Sequence, residues 1–385
     1  MDWKPHAERL AEQVTHAMSR WRPVVASIPR HEFVPRWWAH ESAAPGPYGS
    51  ATWSLNVGPA DPEQWMRSAY ADRSRVTRVG PHHADDARPG DQATGSPTSS
   101  ATLPSLIVSM CQHARIADGM HVLDVGTGSG YGTAMLAARL GDDRVTSVDV
   151  DPYLVASAED RLDRAGYRPV VRTVDAIGPL DGEWDRIIAT VSVRPIPASW
   201  LAALRPGGRL VSSIAGAGLL LTADRTPDGG AEGRIEWDRA GFMTTRTGPD
   251  YPPEIVDRIE VARTAEGEHV AVSRFPVVNV MEAWDLWSML GVTAPGIDHD
   301  YREGCGTRTA IMAHSDGSWA RAVEAPDGEV TVHQGGPRRL WDLLDAIRAR
   351  WLREGSLPVN GARATIAPDG VITLRRGRWS TTIAD

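Results

Sequence analysis

The chain has 385 residues, 42% of them apolar and 23% charged, with a formal net charge of −8. These are the values of a soluble globular protein larger than one ordinary core, so two domains are the default, and they speak against a general nucleic-acid binder, whose surface is basic. Only two cysteines occur, Cys111 and Cys305, without CxxC spacing or a Cys/His cluster, which excludes the usual disulfide and zinc frameworks.

Positive charge is almost all arginine, since Lys4 is the single lysine. The N-terminal stretch MDWKPHAERLAEQVTHAMSRW has the pattern of a charged helix rather than a signal peptide. No window approaches the roughly 20 apolar residues of a membrane span, so no membrane partner and a cytoplasmic location are expected. After the first helix and a turn at Pro29 comes PRHEFVPRWW. Residues 41–100 are rich in Gly, Pro, Ser, Asp and His, and VGPHHADDARPGDQATGSPTSS within them is expected to be a long loop.

From LPSLIVSMCQHARI onward the pattern becomes regular. A helix at 104–115 leads to an apolar strand at 121–125, a helix at 130–140, a strand at 145–148 and a helix at 153–165. Strands at 170–174 and 184–190, a helix at 197–204 and the strand RLVSSIA complete the series. This alternation predicts a parallel, doubly wound Rossmann-like α/β sheet. It stops near residue 225. Beyond lie short strands such as HVAVSRF and TAIMAHSDGSWARAV, divided by the turn pairs Asp316-Gly317, Asp327-Gly328 and Asp369-Gly370, and one clear helix, RRLWDLLDAIRARWLREG. The expected organisation is an N-terminal helical and loop segment (1–103), a nucleotide-binding catalytic domain (104–244) and an additional C-terminal α+β domain (245–385) expected to recognise a peptide.

The stretch VLDVGTGSGYGTAMLAARLGDDRVTSVDVDP carries the chemistry. Gly126, Gly128 and Gly130 follow an apolar strand and open a helix, so the backbone can turn sharply and approach a ligand closely. Asp149 ends the next strand about 20 residues on, where a carboxylate accepts ribose hydroxyls. A dinucleotide and S-adenosylmethionine both satisfy this much. The loop reads G-x-G-x-G rather than G-x-G-x-x-G, and Asp124 precedes it, where it repels a pyrophosphate but suits the ammonium of S-adenosylmethionine. Asp175 ends a third strand, within reach of an adenine amino group. These details select methyl transfer over hydride transfer and over a glycine turn with no ligand. Thr127, Val150, Ala176 and Thr190 belong with these cofactor-binding positions.

PRHEFVP, SSATLPSLIVSM, VLDVGTGSGYGTAMLAARLG, VTSVDVDP, WDRIIATVSVRPIP and LRPGGRLV resemble successive blocks of protein-L-isoaspartate O-methyltransferases, over roughly residues 1–220. The DRAGFM run, DGSWAR and QGGPRRLWD are similar to a branch associated with ATP-grasp ligases in the biosynthesis of graspetides, the omega-ester peptides. The resemblance implies S-adenosylmethionine as cofactor, no metal, and a ribosomally synthesised macrocyclic peptide as substrate. Its aspartate side chain would be methylated and then closed to an aspartimide. Repair of isoaspartyl residues is the alternative, and a peptide-binding protein without activity is a third. The family carries a serine before a Gln-Pro or Ala-Pro pair; alignment on Pro104 puts Thr102 there, keeping the hydroxyl. Thr102, Ser100 and Ser99 are the candidate carboxylate contacts, although Ser99 and Ser100 also fit a helix-capping turn. The enzyme is expected to act as a monomer.

Other features weigh toward structure. His82, His83, Asp85 and Asp86 read as solvated side chains in a polar loop rather than a metal site. Trp37 and Trp38 suit either a peptide groove or packing. Trp284, Trp287, Trp341 and Trp351 have helical spacing and read as core. Arg338 and Arg339 open a helix against its dipole and are weak candidates for binding an acidic peptide.

Overall fold

A computed structural model describes residues 2–40, 52–247 and 256–384, with the backbone alone for 256–258. Residues 41–51, in the stretch rich in Gly, Pro, Ser, Asp and His, and 248–255, in the expected 245–385 domain, lie outside the described residues.

The N-terminal part is a helical pair, α1 (Lys4–Val14) and α2 (Arg22–Ser27), followed by a six-stranded antiparallel sheet. Its strands are β1 (Arg36–His40), β2 (Thr52–Val57), β3 (Arg75–Val79), β4 (His82–His83), β5 (Gln92–Thr94) and β6 (Pro97–Ala101), with α3 (Pro62–Ala69) between β2 and β3. The expected loop at 81–100 is therefore corrected: β4 and β6 both pair with β3, and β5 pairs with β2. Trp37 and Trp38 are buried, and Trp38 Nε1 donates to the His82 carbonyl at 3.1 Å. They are packing residues, not a peptide groove.

The central sheet begins as the alternation predicts. After α4 (Pro104–His113) come β7 (Val122–Val125), α5 (Tyr131–Leu140), β8 (Val145–Asp149), α6 (Pro152–Ala165), β9 (Val170–Thr173), β10 (Trp184–Val193), α7 (Ala198–Ala203) and β11 (Leu204–Ile214). These strands lie parallel in the order β9-β8-β7-β10-β11. All four residues of β7 are buried, as a central parallel strand covered on both faces requires. Helix α6 starts on Asp151, whose side chain accepts the Tyr153 amide, with Pro152 in the first turn, and stops at Gly166.

Two antiparallel strands, β12 (Leu219–Arg225) and β13 (Ala231–Arg239), extend the sheet past β11. A second, five-stranded antiparallel sheet then follows, β14 (His269–Ser273), β15 (Ile297–Gly304), β16 (Thr307–His314), β17 (Trp319–Glu324) and β18 (Val330–Gly335). Along β16, Ala310 and Met312 face the core shared with α9 (Trp284–Thr293) and α10 (Leu340–Arg353), whereas Ile311 and Ala313 face α8 (Val256–Thr264). That is the period-two alternation of a strand covered differently on its two faces. Trp341 lies in the first of these cores, with Trp287 and Trp351 against it, and Trp284 meets Trp287 edge-on at 5.1 Å.

The chain then returns to the first sheet. Strands β19 (Arg363–Ile366), β20 (Ile372–Arg376) and β21 (Trp379–Ile383) continue it from β13 to its far edge, making ten strands. Ile372, Leu374, Trp379 and Ile383 share one core with Ile187 and Leu210 of the parallel strands. The expected 245–385 domain is thus corrected at its C-terminal end. Most of it forms a separate sheet inserted after β13, but its last three strands belong to the catalytic sheet, because Ala231 to Arg234 pair with Ile366 to Arg363.

Because Ile372 is fully buried in that shared core, Ile372→Ala is expected to destabilise the protein by about 2–5 kcal/mol. Leu352→Ala, at a half-exposed helical position, should cost under about 0.5 kcal/mol. Urea unfolding followed by intrinsic fluorescence measures both. An unchanged midpoint for Ile372→Ala would show that β19–β21 do not stabilise the catalytic sheet.

Candidate active site

Strand order reverses between β7 and β10, the place where open α/β sheets bind ligands. There the C-terminal ends of β7, β8, β9 and β10 open into a cleft of about 940 Å³, its mouth included. Every expected site residue except Gly130 lines it: Ser99, Ser100 and Thr102 from the N-terminal side, and Asp124, Gly126, Thr127, Gly128, Asp149, Val150, Asp175, Ala176 and Thr190 from the strand ends.

The loop after β7 is fixed by its own backbone. The amides of Gly126 and Thr127 both donate to the Val148 carbonyl, and Thr190 Oγ1 donates to the Gly126 carbonyl at 2.8 Å. Gly126 has φ +96, and a Cβ there would lie 2.9 Å from Thr190 Oγ1 and from Val191 Cγ1. No larger residue fits without moving β10. Gly130 does a different job: at φ +88 it opens α5, and a Cβ would sit 3.2 Å from Ala158 Cβ on α6. What the structure shows for it is close packing of α5 on α6, away from the cleft lining.

Asp124 is buried beneath the loop. Its Oδ2 accepts Thr133 Oγ1 at 2.7 Å and Ser147 Oγ at 2.9 Å, and Thr127 Oγ1 lies 2.7 Å from Ser147 Oγ. Thr127 therefore turns its hydroxyl into this network. Burial pushes the Asp124 carboxyl up to about 6, against the two hydroxyl donors, which favour the anion. Asp149 is also raised by burial; Oδ2 accepts the Gly128 amide at 3.0 Å and Oδ1 the Asp151 amide at 3.1 Å. Asp175 is exposed and accepts the Ile177 amide at 3.0 Å.

On the other wall, Ser99 is buried and accepts Thr77 Oγ1 at 3.1 Å. The Thr102 carbonyl accepts Arg30 Nη2 at 3.2 Å. Fully buried Arg30, in the PRHEFVP stretch, also donates to the carbonyls of Ala69, Ala71 and Arg73 and stacks over the Tyr131 ring at 5.2 Å. Desolvation lowers its pKa to about 10, so it remains charged at neutral pH. Arg30 positions Thr102.

Sequence reasoning missed three parts of this site. Thr133 and Ser147 carry no signal apart from their contact with Asp124. Asp151 does carry one, an Asp-Pro pair at a helix start. The segment Phe242 to Arg246 also lines the cleft; it runs beside β10, where the Ser192 amide donates to the Met243 carbonyl and the Thr245 amide to the Ser192 carbonyl, each at 2.8 Å. His83 and Asp85 are not merely solvated: His83 lies 3.4 Å from Asp151 Oδ2, and Asp85 pairs with Arg161. Arg338, expected as a weak peptide contact, pairs with Asp316 at 2.7 Å.

Three carboxylates at the ends of successive strands, under a glycine loop, match a ligand with an ammonium, a ribose diol and an adenine amino group. The fold and this donor set define a class I methyltransferase that uses S-adenosylmethionine. The family model described as protein-L-isoaspartate(D-aspartate) O-methyltransferase matches residues 85–236. The protein-L-isoaspartate O-methyltransferase of Thermococcus onnurineus is 35% identical over 153 residues, 39% of this chain and 69% of the relative. That of Gloeobacter violaceus is 37% identical over 114 residues, 29% of this chain and 55% of the relative. Among solved structures, a protein-L-isoaspartate O-methyltransferase aligns over 99% of both chains with TM-score 0.48 and 15% identity. One from Plasmodium falciparum, in complex with S-adenosyl-L-homocysteine, aligns over 64% of this chain and all of its own with TM-score 0.42 and 14% identity. The chain belongs to the protein-L-isoaspartate O-methyltransferase family. No helix among the described residues is long and apolar enough to cross a membrane.

A carboxyl attracts an ammonium only when ionised, and the raised Asp124 value puts that change near neutral pH. Its folded pKa lies above the unfolded one, so its contribution to stability without cofactor is present below about 4 and lost as pH rises through about 6. Cofactor affinity should do the opposite, rising between pH 5 and 7 with a midpoint near the Asp124 value of about 6, and this rise should vanish in Asp124→Asn. Calorimetric titration of S-adenosylmethionine across that range decides it. Separately, the expected placement of the ribose hydroxyls at Asp149 predicts that Asp149→Ala weakens cofactor binding by about 1–3 kcal/mol. An unchanged dissociation constant in folded Asp149→Ala would overturn this placement.

Proposed function

We propose that the protein methylates an aspartate side-chain carboxylate in a ribosomally synthesised peptide already macrocyclised by an ATP-grasp ligase, and that the ester closes to an aspartimide. The observation that carries the reading is the convergence, in one cleft, of Ser100 and Thr102 with the three cofactor carboxylates and the Phe242–Arg246 segment that leads toward the inserted sheet.

S-adenosylmethionine supplies a methyl group on a positively charged sulfur. In this chain Asp124 would hold its ammonium, Asp149 its ribose and Asp175 its adenine. An aspartate carboxylate has a pKa near 4 and is ionised at neutral pH, so the protein needs no strong base. Its contribution is to strip water from the carboxylate and hold it in line with the methyl group. Thr102 and Ser100 are the hydroxyl donors for that task; Ser99 accepts from Thr77 and keeps its own proton to donate. Afterwards the next backbone nitrogen attacks the ester carbonyl, and methanol departs with the amide proton, leaving the imide.

Isoaspartyl repair is the second reading, and the family shared with the curated relatives favours it. The inserted sheet lies outside the family-matched residues, which favours a dedicated peptide. Measuring kcat/KM on an isoaspartyl test peptide and on a macrocyclic aspartyl peptide separates the two. A larger value for the macrocycle, with methyl gain followed by methanol loss in the mass spectrum, is expected; the reverse preference would put repair first. Thr102→Ala should keep the cofactor dissociation constant within about twofold while lowering the methylation rate. Equal losses in both would contradict the division of roles between the two walls.

A further inference from the structure

The cleft is acidic where it receives the cofactor, and a carboxylate substrate approaches the same cleft. Among the described residues that line it, Asp124, Asp149 and Asp175 are negative and Arg246 is the one basic side chain. Arg246 lies on the segment fixed against the end of β10 by Ser192: besides the two amide bonds, Ser192 Oγ donates to the Phe242 carbonyl at 2.7 Å, and Ser192 bridges Thr244 in parallel. Its guanidinium is largely buried and is braced by Asp151, with Nη2 3.4 Å from Oδ2. It also lies outside residues 85–236, the part of the chain that matches the family model.

We propose that Arg246 is a specificity-determining residue that binds the carboxylate of the peptide substrate. Arginine presents five N–H donors in a planar fork that matches a carboxylate, and a charge-assisted hydrogen bond is stronger than one between neutral groups. Asp151 holds the guanidinium at the cleft, with Nη2 3.4 Å from Oδ2. Because the residue sits on the segment leading toward the inserted sheet, substrate recognition and the acidic cofactor pocket meet on one side chain. This inference rests on the carboxylate-methylating reading and names the group that overcomes the repulsion between substrate and cofactor aspartates.

The test uses the full chain with whichever of the isoaspartyl or macrocyclic aspartyl peptide the wild type methylates. Arg246→Ala should bind S-adenosylmethionine within about twofold of wild type but raise KM for the peptide about 10- to 100-fold, with a much smaller change in kcat. Arg246→Lys should recover part of the loss, since it keeps the charge without the fork. A peptide KM in Arg246→Ala within about twofold of wild type, with cofactor affinity unchanged, would overturn the proposal. Failure of the wild type to methylate either peptide while binding cofactor would instead overturn the reading beneath it.

Discussion

One carboxylate ties the three parts of this protein together. Asp151 Oδ1 accepts the Tyr153 amide at 3.0 Å and so starts α6. Its Oδ2 meets Arg78 of β3 at 3.3 Å, His83 of β4 at 3.4 Å and Arg246 at 3.4 Å. The N-terminal sheet, the cofactor-binding unit and the segment leading toward the inserted sheet therefore share a single buried charge. Burial pushes the Asp151 carboxyl up, but His83, the Tyr153 amide and Arg78 outweigh that and hold it at about 2. Its folded value is depressed, so its stabilisation is present above the ordinary aspartate range and is lost only as pH falls through about 2. Removing one member of such a buried cluster typically costs about 3–5 kcal/mol, because the remaining charge is stranded.

Two walls of the active site are tied to that arrangement. Asp149, two residues before the cluster, holds the glycine loop through Gly128 and the Asp151 amide. Pairing of β3 with β6 places Ser99 opposite Arg78 and Ser100 opposite Val76, so the wall bearing the hydroxyls is positioned by the strand that reaches Asp151. Arg30 secures the next turn by holding the Thr102 carbonyl. The result is a cleft whose floor suits a cation and whose hydroxyl-bearing wall suits an anion, which is what methyl transfer to a carboxylate requires.

The parallel half of the fold was legible because long apolar strands alternate with helices that have clear starts and stops. The glycine loop, Asp124, Asp149 and Asp175 were legible because each is fixed to a strand end by local sequence. What was hidden depends on distant pairing. Strands β4 to β6 are two to five residues long and rich in His, Ser, Thr and Pro, so nothing local distinguishes them from a loop. Strands β19 to β21 look like any short antiparallel strands, and only their pairing with β13 assigns them to the catalytic sheet. Gly130 fits the spacing of a ligand loop, but its left-handed φ and its closeness to Ala158 on α6 have no local signal. Arg246 follows no motif; its meaning comes from the three aspartates and the cleft around it.

The central claim is that this cleft methylates a carboxylate, and the bond formed is the most direct witness. Methyl-labelled S-adenosylmethionine would be incubated with the protein and its peptide, and the labelled peptide then treated with mild alkali. The account predicts that all the label leaves as methanol, part on closure to the aspartimide and the rest as alkali hydrolyses the remaining carboxyl methyl ester. Label that survives alkali on a nitrogen or sulfur of the peptide would contradict it.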